Sequence, residues 1–372
     1  MTTTELGALV PAVGRAKWAF AARRAVRERV VGLSDALATT MPGDLLLVRV
    51  DRLGALAGLQ LADDGAVCRL APGDLVVAAA GERLVDGKGV ALIATSGVLG
   101  HTGGVATGGL NDGLNDGPPV GADGRAATLV TPLGLLADAA GGIVNLAADA
   151  LLPCALGERT QVIAVFGTGR GAGKTTAAAS LAEGLSHAGL CTAAVKATGT
   201  DTFGDHSAFD AAGVEHFDFV DAGMAATGAV PLARIRQGFE TLVCHAALGG
   251  AEAVVVEFGD GIFDADGARV LEGLAPRLRL DGVILAASGR DSAAEGIVAL
   301  RKNGFEPLCL TGTIARKPVG QREAETALGL PVLTRETLRD AEVARALLAR
   351  IARAARIGAR AGFDRDAPAF AA

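Results

Sequence analysis

The stretch VIAVFGTGRGAGKTTAAASLAEGL, residues 162–185, decides how the rest of the chain is read. Residues 162–166 are a short apolar, β-branched run, which predicts a buried strand. Gly167-Thr168-Gly169-Arg170-Gly171-Ala172-Gly173-Lys174-Thr175-Thr176 follows, and then an Ala/Leu-rich segment with helical spacing. Strand, glycine loop and helix in that order make a phosphate site, because glycines let backbone N–H groups converge on an anion at a helix N-terminus. All of residues 167–176 are therefore candidate nucleotide-binding groups. Lys174 supplies a mobile charge for the β- and γ-phosphates, and the Thr175 hydroxyl can bind Mg²⁺. The standard spacing of such a loop puts its first glycine at position 168, which is Thr168; here the glycine stands one place earlier, at Gly167. A flexible Ala/Gly loop is the plain alternative in a chain with 52 glycines, and the strand–helix context argues against it.

Composition bounds the rest. A chain of 372 residues is long enough for two domains and a large core. Half of it is apolar but only 3% is aromatic, so the core must be built from Ala, Val and Leu. The net charge of −6 gives no overall electrostatic footprint for nucleic acid. Lys17, Lys88, Lys174, Lys196, Lys302 and Lys317 are the only lysines, and two of them fall in the candidate site. Cys68, Cys154, Cys191, Cys244 and Cys309 are scattered singly without metal-ligand spacing, which reads as buried free thiols. No basic leader and no apolar run near the roughly 20 residues of a membrane helix is visible, so a cytoplasmic protein is expected.

Taken in order, residues 13–31 have helical spacing with arginines on one side. Short strand-like runs follow at 44–50, 66–70, 74–80 and 90–95, separated by Pro-Gly and Asp-Asp-Gly turns, and suggest a small β-rich domain of barrel type. Residues 97–124 are glycine-dense with a tandem LNDG repeat at 110–117, and read as a loop; calcium binding is disfavoured because the EF-hand spacing and its terminal Glu are missing. Order returns at 132–153, and 153–159 reads as a linker. From residue 161 strands and helices alternate: strands at 192–195, 253–256, 282–287, 307–310 and 330–333, with helices at 291–303, 321–329 and 335–361. That alternation argues for a parallel sheet covered on both faces, with ligands at the carboxyl ends of the strands. The expected organisation is thus a small β-rich N-terminal domain, residues 1–157, with an N-terminal helix and the glycine-rich loop. An α/β P-loop domain with a mostly parallel sheet in three layers, residues 158–372, follows it.

Two strand ends carry the remaining chemistry. Lys196 directly follows the second strand of that domain, and a second cation there could hold an anionic substrate opposite the γ-phosphate. Glu257 ends the apolar run 253–256, where a carboxylate beside a phosphate loop commonly holds Mg²⁺. Between them lies an acid-rich loop with Asp201, Asp205, His206 and Asp210; Asp205 is the preferred second metal-side carboxylate, and His206 is a base or a surface histidine. Asp218 and Asp221 could orient substrate.

The set Gly167–Thr176, Val195-Lys196-Ala197-Thr198-Gly199 and Val254-Val255-Val256-Glu257-Phe258-Gly259-Asp260-Gly261 resembles dethiobiotin synthetase and its cobyrinic and cobyric acid synthase relatives. That family has a Gly-Thr-x4-Gly-Lys-Thr loop, a strand ending in Lys with Thr/Ser-Gly soon after, and a strand ending in Glu before small residues. The resemblance covers roughly residues 160–335. It implies phosphate-, substrate- and magnesium-side roles for Lys174, Thr175, Lys196, Thr198 and Glu257, with Asp205 a looser match. This chain departs from the family in having Ala197 where a Pro is usual and in the added charge of Asp260. The two-part layout also resembles a P-loop family that includes amino-acid N-acetyltransferases using acetyl-CoA.

The leading expectation is a Mg-ATP-dependent ligase or cyclo-ligase that activates a small carboxylate or carbamate as an acyl phosphate for attack by an amine. Lys174, Lys196 and Thr198 are its candidate catalytic residues, Thr175, Asp205 and Glu257 its metal-side residues, and ATP and Mg²⁺ its cofactors. The alternatives are acetyl-CoA-dependent N-acyl transfer, with the loop holding the CoA diphosphate, and a regulatory NTPase. The expected partner is a small carboxylate or amino-acid-like substrate, with no nucleic acid and no membrane, and homodimerisation is left open.

Overall fold

The computed structural model describes residues 3–22, 27–37, 40–53, 58–61, 67–86, 89–95, 104–106, 129–154, 160–199, 203–228 and 230–363. The glycine-dense stretch 97–124 lies outside them except for residues 104–106, as do Asp201, residues 155–159 of the linker and the tail beyond 363. The chain divides into two compact units. The first is Met1–Ala155 with Ala197–Ser207 and Phe217–Leu242; the second is Leu156–Lys196, Ala208–His216 and Val243–Ala372.

The first unit begins with a helix, α1 (Thr3–Val13), and is built on a mixed sheet. Its strands are β1 (Lys17–Trp18), β2 (Gly32–Ser34), β3 (Leu45–Arg52), β6 (Leu75–Asp86), β7 (Gly89–Thr95), β8 (Gly104–Ala106) and β9 (Leu129–Ala137), with β4 (Gly58–Gln60) and β5 (Val67–Arg69) forming a separate hairpin. The pairings β6–β3, β3–β9, β9–β8, β8–β7 and β7–β6 close on themselves, so five strands form a barrel without free edges. Period-two alternation sends Leu46, Val48, Val50, Val76, Ala78, Ala80, Val130 and Leu135 into one core, where the alanines keep the interior narrow. The helix expected over 13–31 is not formed. Trp18, Ala19, Phe20 and Ala22 are buried nearly in succession, because β1 pairs in parallel with β6 (Trp18 beside Val77) and a 3-10 turn follows at Phe20–Ala22. Consecutive burial is a strand-and-turn pattern, not a helical stripe.

The second sheet has the order β12-β11-β13-β10-β14-β15 and is parallel throughout. The strands are β10 (Gln161–Gly167), β11 (Thr192–Thr198), β12 (Glu215–Asp218), β13 (Ala253–Gly261), β14 (Gly282–Ala286) and β15 (Leu310–Thr311). Between them run α2 (Lys174–His187), α3 (Phe203–Ala211), α4 (Leu232–Leu248), α5 (Ala265–Gly273), α6 (Arg290–Lys302) and α7 (Pro318–Leu328), and α8 (Arg335–Leu338) and α9 (Ala341–Phe363) close the chain. Ile163, Val165, Ala194, Ala253, Val255 and Ile284 meet α2 and α9 on one face of the sheet. The alternate residues Phe166 and Phe258 stack at 4.5 Å between ring centroids, with their planes 3° apart. This is the expected P-loop α/β layer architecture, with the inner strands of the sheet buried by helices and the edge strand β12 partly exposed.

Three local expectations are corrected. Residues 330–333 form only an isolated bridge, Leu310 to Val332, and not a strand. The helix expected over 335–361 is two helices, because the Asp340 carboxylate accepts from the Glu342 and Val343 N–H groups and caps a fresh start at α9. The cysteines are not all free: Cys154 and Cys244 are disulfide-bonded, whereas Cys68, Cys191 and Cys309 are free, and Cys191 is exposed. Only in Cys309 does the expectation of a buried thiol hold, and there burial pushes its pKa up to about 12. Gly184 lets α2 lie against the carbonyl of Leu338 in α8, since any Cβ there would collide with that oxygen.

Candidate functional site

Residues two apart in a strand share a face. Ala194 on β11 and Val255 on β13 lie in the core beneath α2, so Lys196 and Glu257 are the next side chains on that same face. Both charges are thereby carried to the carboxyl edge of the sheet on the side where α2 begins. Strand order refines the expectation for Lys196. β13 stands between β10 and β11, so Glu257 is on the strand beside the phosphate loop and Lys196 is one strand further out.

The loop is shaped by close backbone approaches that only glycine permits. A Cβ on Gly167 would collide with the stem of Lys174, which folds back across the loop so that its Nζ donates to the Gly169 carbonyl at 2.9 Å. Gly173 opens α2 at φ +98°, in the left-handed region. Opposite it, Gly312 has φ +93°, and a Cβ there would strike the Ala172 carbonyl, which also accepts from the Thr313 N–H at 3.0 Å. Gly261, at the end of β13, is pressed against the loop as well: its Cβ would stand 2.5 Å from Cα of Gly169.

Lys174 is 6% exposed, Lys196 6% and Glu257 2%. The Thr175 hydroxyl donates to Oε1 of Glu257 at 2.8 Å, bringing the two expected metal-side oxygens together. Thr168 is tied to the edge of β14, its N–H donating to the Ala286 carbonyl (2.9 Å) and its hydroxyl accepting from the Ser288 N–H (3.3 Å). Ala172 is buried, and Arg170, Gly171 and Thr176 are exposed. Thr198, the last residue of β11, is buried, and Asp205 is half-buried in the first turn of α3; both belong to the first unit, not to the one that holds the loop.

Burial pushes the pKa of Lys174 below the usual ammonium range, and Lys196 pushes the same way, while Glu257, Asp260 and Asp264 oppose the shift. Asp260 is displaced in the other direction. Burial raises its pKa, Asp266 and Asp264 add to the rise, and Lys174 and Lys196 work against it. Asp260 reaches this position through a bulge. Val165 pairs with Glu257 and Gly167 with Gly261, so three residues of β13 stand opposite the single Phe166. In the sequence alone Asp260 stands out only as an added charge. The signal it carried was an acid between two glycines just past a buried strand end.

His206 and Asp218 are both in the first unit and form a pair, Nε2 to Oδ2 at 2.5 Å. Asp218 also accepts from the Val220 N–H at 2.8 Å, and Asp221 accepts from the Asp218 N–H at 2.9 Å. These acids therefore bind a turn and a histidine together. Beside the phosphate loop lies a cleft of about 410 Å³ whose walls include Gly173, Thr176, Gly312, Thr313, Arg316 and Arg335.

No family model and no curated protein matches this chain. Among solved structures it is similar to the signal recognition particle 54 kDa protein of Aeropyrum pernix K1 in complex with GDP, at 21% identity over 53% of this chain and 50% of that one, with a TM-score of 0.35. It is also similar to the signal recognition particle receptor FtsY of Elizabethkingia anophelis. That protein in complex with GDP matches at 18% identity over 54% of this chain and 67% of that one, TM-score 0.35; without the ligand named, at 21% over 45% and 53%, TM-score 0.30. The chain thus spans about half the length of the signal recognition particle protein and of the FtsY structure without a named ligand. They have the P-loop NTPase fold, and no functional property is carried across from them. The resemblance to dethiobiotin synthetase rests on the motif residues alone.

Proposed function

We propose that the protein binds a magnesium nucleotide at residues 167–176 and uses it to activate a small carboxylate or carbamate as an acyl phosphate for attack by an amine. The observation that carries this reading is the second buried lysine. Lys196 sits within electrostatic reach of Lys174 and, with burial, lowers its pKa despite the opposing Glu257, Asp260 and Asp264, so a further anion beside the two lysines is favoured. A γ-phosphate met by a substrate carboxylate supplies that anion. Lys174 would hold the phosphates, and Lys196 would hold the substrate oxyanion and stabilise charge as the phosphoryl group moves.

The donor chemistry fits magnesium. A hydroxyl and a buried carboxylate, Thr175 and Glu257, meet at the helix start. Among the described residues no cluster of three His, Cys, Asp or Glu side chains forms a metal cage. Magnesium suits such a set, because it keeps several waters and is shared with phosphate oxygens. Its contribution there is neutralisation of phosphate charge.

Acyl transfer from acetyl-CoA is the second reading, and the arginines of the neighbouring cleft favour it. Arg316 and Arg335 beside the loop suit a nucleotide that carries a phosphate beyond its diphosphate, as CoA does. The deciding experiment is a screen of amino acids and related carboxylates with ATP and, separately, with acetyl-CoA, following ADP and free thiol. ADP release that requires a carboxylate or amine substrate is expected; thiol release without ADP would replace the ligase by the acyltransferase.

A further inference from the structure

The acids around the phosphate loop are engaged by donors, with one exception among the described residues. Glu257 accepts from Thr175, Asp264 from the Gly261 N–H at 3.0 Å, and Asp266 from Arg269 at 3.1 Å. The Asp260 carboxylate accepts no hydrogen bond from a described residue and pairs with no described cation within 4 Å. Its place is nevertheless fixed. The β13 bulge lifts it out of the ladder, and the next residue, Gly261, is seated on Gly169 of the phosphate loop. From there it faces Lys174 of the loop, Lys196 at the end of β11, and Asp264 and Asp266 at the start of α5.

We propose that Asp260 is the proton acceptor of this site, taking the proton that the attacking nucleophile releases. The inference rests on the phosphate-site reading above. In hydrolysis, a water oxygen bonds to the γ-phosphorus, the bond to ADP breaks with its electron pair going to ADP, and the water proton moves to an Asp260 oxygen. In the ligase reaction, the amine nitrogen bonds to the acyl carbon, phosphate departs with the electrons of the C–O bond, and the nitrogen proton moves to the same carboxylate. A base must be within hydrogen-bond reach of the proton it takes, and a carboxylate held at the loop without a fixed donor has lone pairs open to that role. Burial and neighbouring acids make Asp260 a stronger base than a solvated carboxylate, while the two lysines keep it charged.

The test is Mg-ATP turnover by the full chain from about pH 5 to pH 9 in the presence of the amino acids and carboxylates of the screen above, following ADP, with Mg-ATP binding read by thermal shift. Asp260→Asn should lower kcat about 100-fold and abolish the acid limb of the pH profile. The Mg-ATP shift should be kept or enlarged, since a negative charge near the phosphates is gone. Asp260→Glu, which keeps the carboxyl group, should recover at least about a tenth of the wild-type rate. Equal loss in both variants would make the residue structural and overturn the assignment. So would an unaltered pH profile in Asp260→Asn, or a defect cured by raising magnesium. Wild-type protein that binds Mg-ATP without turning it over would overturn this inference alone, and absence of binding would overturn the phosphate-site reading with it.

Discussion

In the barrel of the first unit the buried acid Asp44 is satisfied within its own turns, accepting from the Met41 N–H at 2.7 Å and from Asn145 Nδ2 at 2.8 Å. Along the carboxyl edge of the parallel sheet, by contrast, Lys174, Lys196 and Glu257 are buried in one neighbourhood, and Lys174 is held below its ordinary pKa. The barrel's buried charge closes its own hydrogen bonds and asks nothing of a ligand. At the sheet edge, burial still outweighs the neighbouring acids at Lys174, so the protein alone does not fully compensate that charge. Burying charge without full compensation is unfavourable, so Lys174 is the position where the proposed phosphate would add most.

The largest expected effect sharpens the contrast at the level of backbone. Gly312→Ala forces a left-handed φ on a residue whose Cβ strikes the Ala172 carbonyl, and should lower stability by about 3–4 kcal/mol and abolish the nucleotide shift. Gly73 in the barrel has a similar φ, +91°, but open space around it, so Gly73→Ala should cost only about 1 kcal/mol. Urea unfolding of the two variants compares them; equal losses would mean that the phosphate loop is no tighter than an ordinary turn.

Next in size, Leu46→Ala empties a fully buried barrel position and should lower stability by about 3 kcal/mol. The Kd for Mg-ATP, measured calorimetrically, should not move. A weakened Kd would tie the barrel core to nucleotide binding and break the division drawn here.

Lys174→Met should do the reverse. Without ligand the variant should melt no lower than wild type, because a poorly solvated charge is removed. At nucleotide concentrations 100 times the wild-type Kd it should lack about 2.7 kcal/mol of ligand-induced stability. Retention of that shift in a differential scan would remove Lys174 from the phosphate site.

The smallest effect is on pH dependence. The folded pKa of Lys174 lies below its ordinary value, so between the two the unfolded chain holds the extra proton and unliganded stability rises with pH. The rise is at most about 1.4 kcal/mol per pH unit. It should be shallower in Lys174→Met when unfolding free energies are compared from neutral pH to about pH 10. Parallel curves would show that Lys174 is solvated. Asp260 has the opposite sign: its folded pKa is raised, so its contribution is most favourable below the ordinary carboxylate range and is lost as pH rises through the folded value.

What could be read from sequence follows the same division. β10, the glycine loop and the start of α2 were legible because one apolar run, one glycine pattern and one Ala-rich helix are all local signals. Glu257 was legible as the end of a run of four apolar residues, Ala253-Val254-Val255-Val256. Asp260 was not, because a bulge exists only relative to a partner strand, and the offset between Val165 and Gly167 is invisible along β13 itself. β12 escaped for a related reason: Glu-His-Phe-Asp has no apolar pattern, and it is a strand because the sheet edge pairs with it. In the first unit, closure of the barrel depends on residues far apart in the chain, and the disulfide state of Cys154 and Cys244 is likewise not a local signal. The segment 13–31 misled because Trp18, Ala22, Ala25 and Val26 are spaced like a helical stripe, while the consecutive burial of Trp18, Ala19 and Phe20 cannot be seen in the sequence.

The contact between Gly184 of α2 and the carbonyl of Leu338 has a mechanical consequence. An anion at the front of α2 and the helix attract each other along its axis, and a loosely held helix could answer that attraction by shifting. Here the last turns of α2 are wedged against α8 with no room for even a methyl group between them. The helix is an anvil, and whatever movement accompanies ligand capture must occur in the parts that face it.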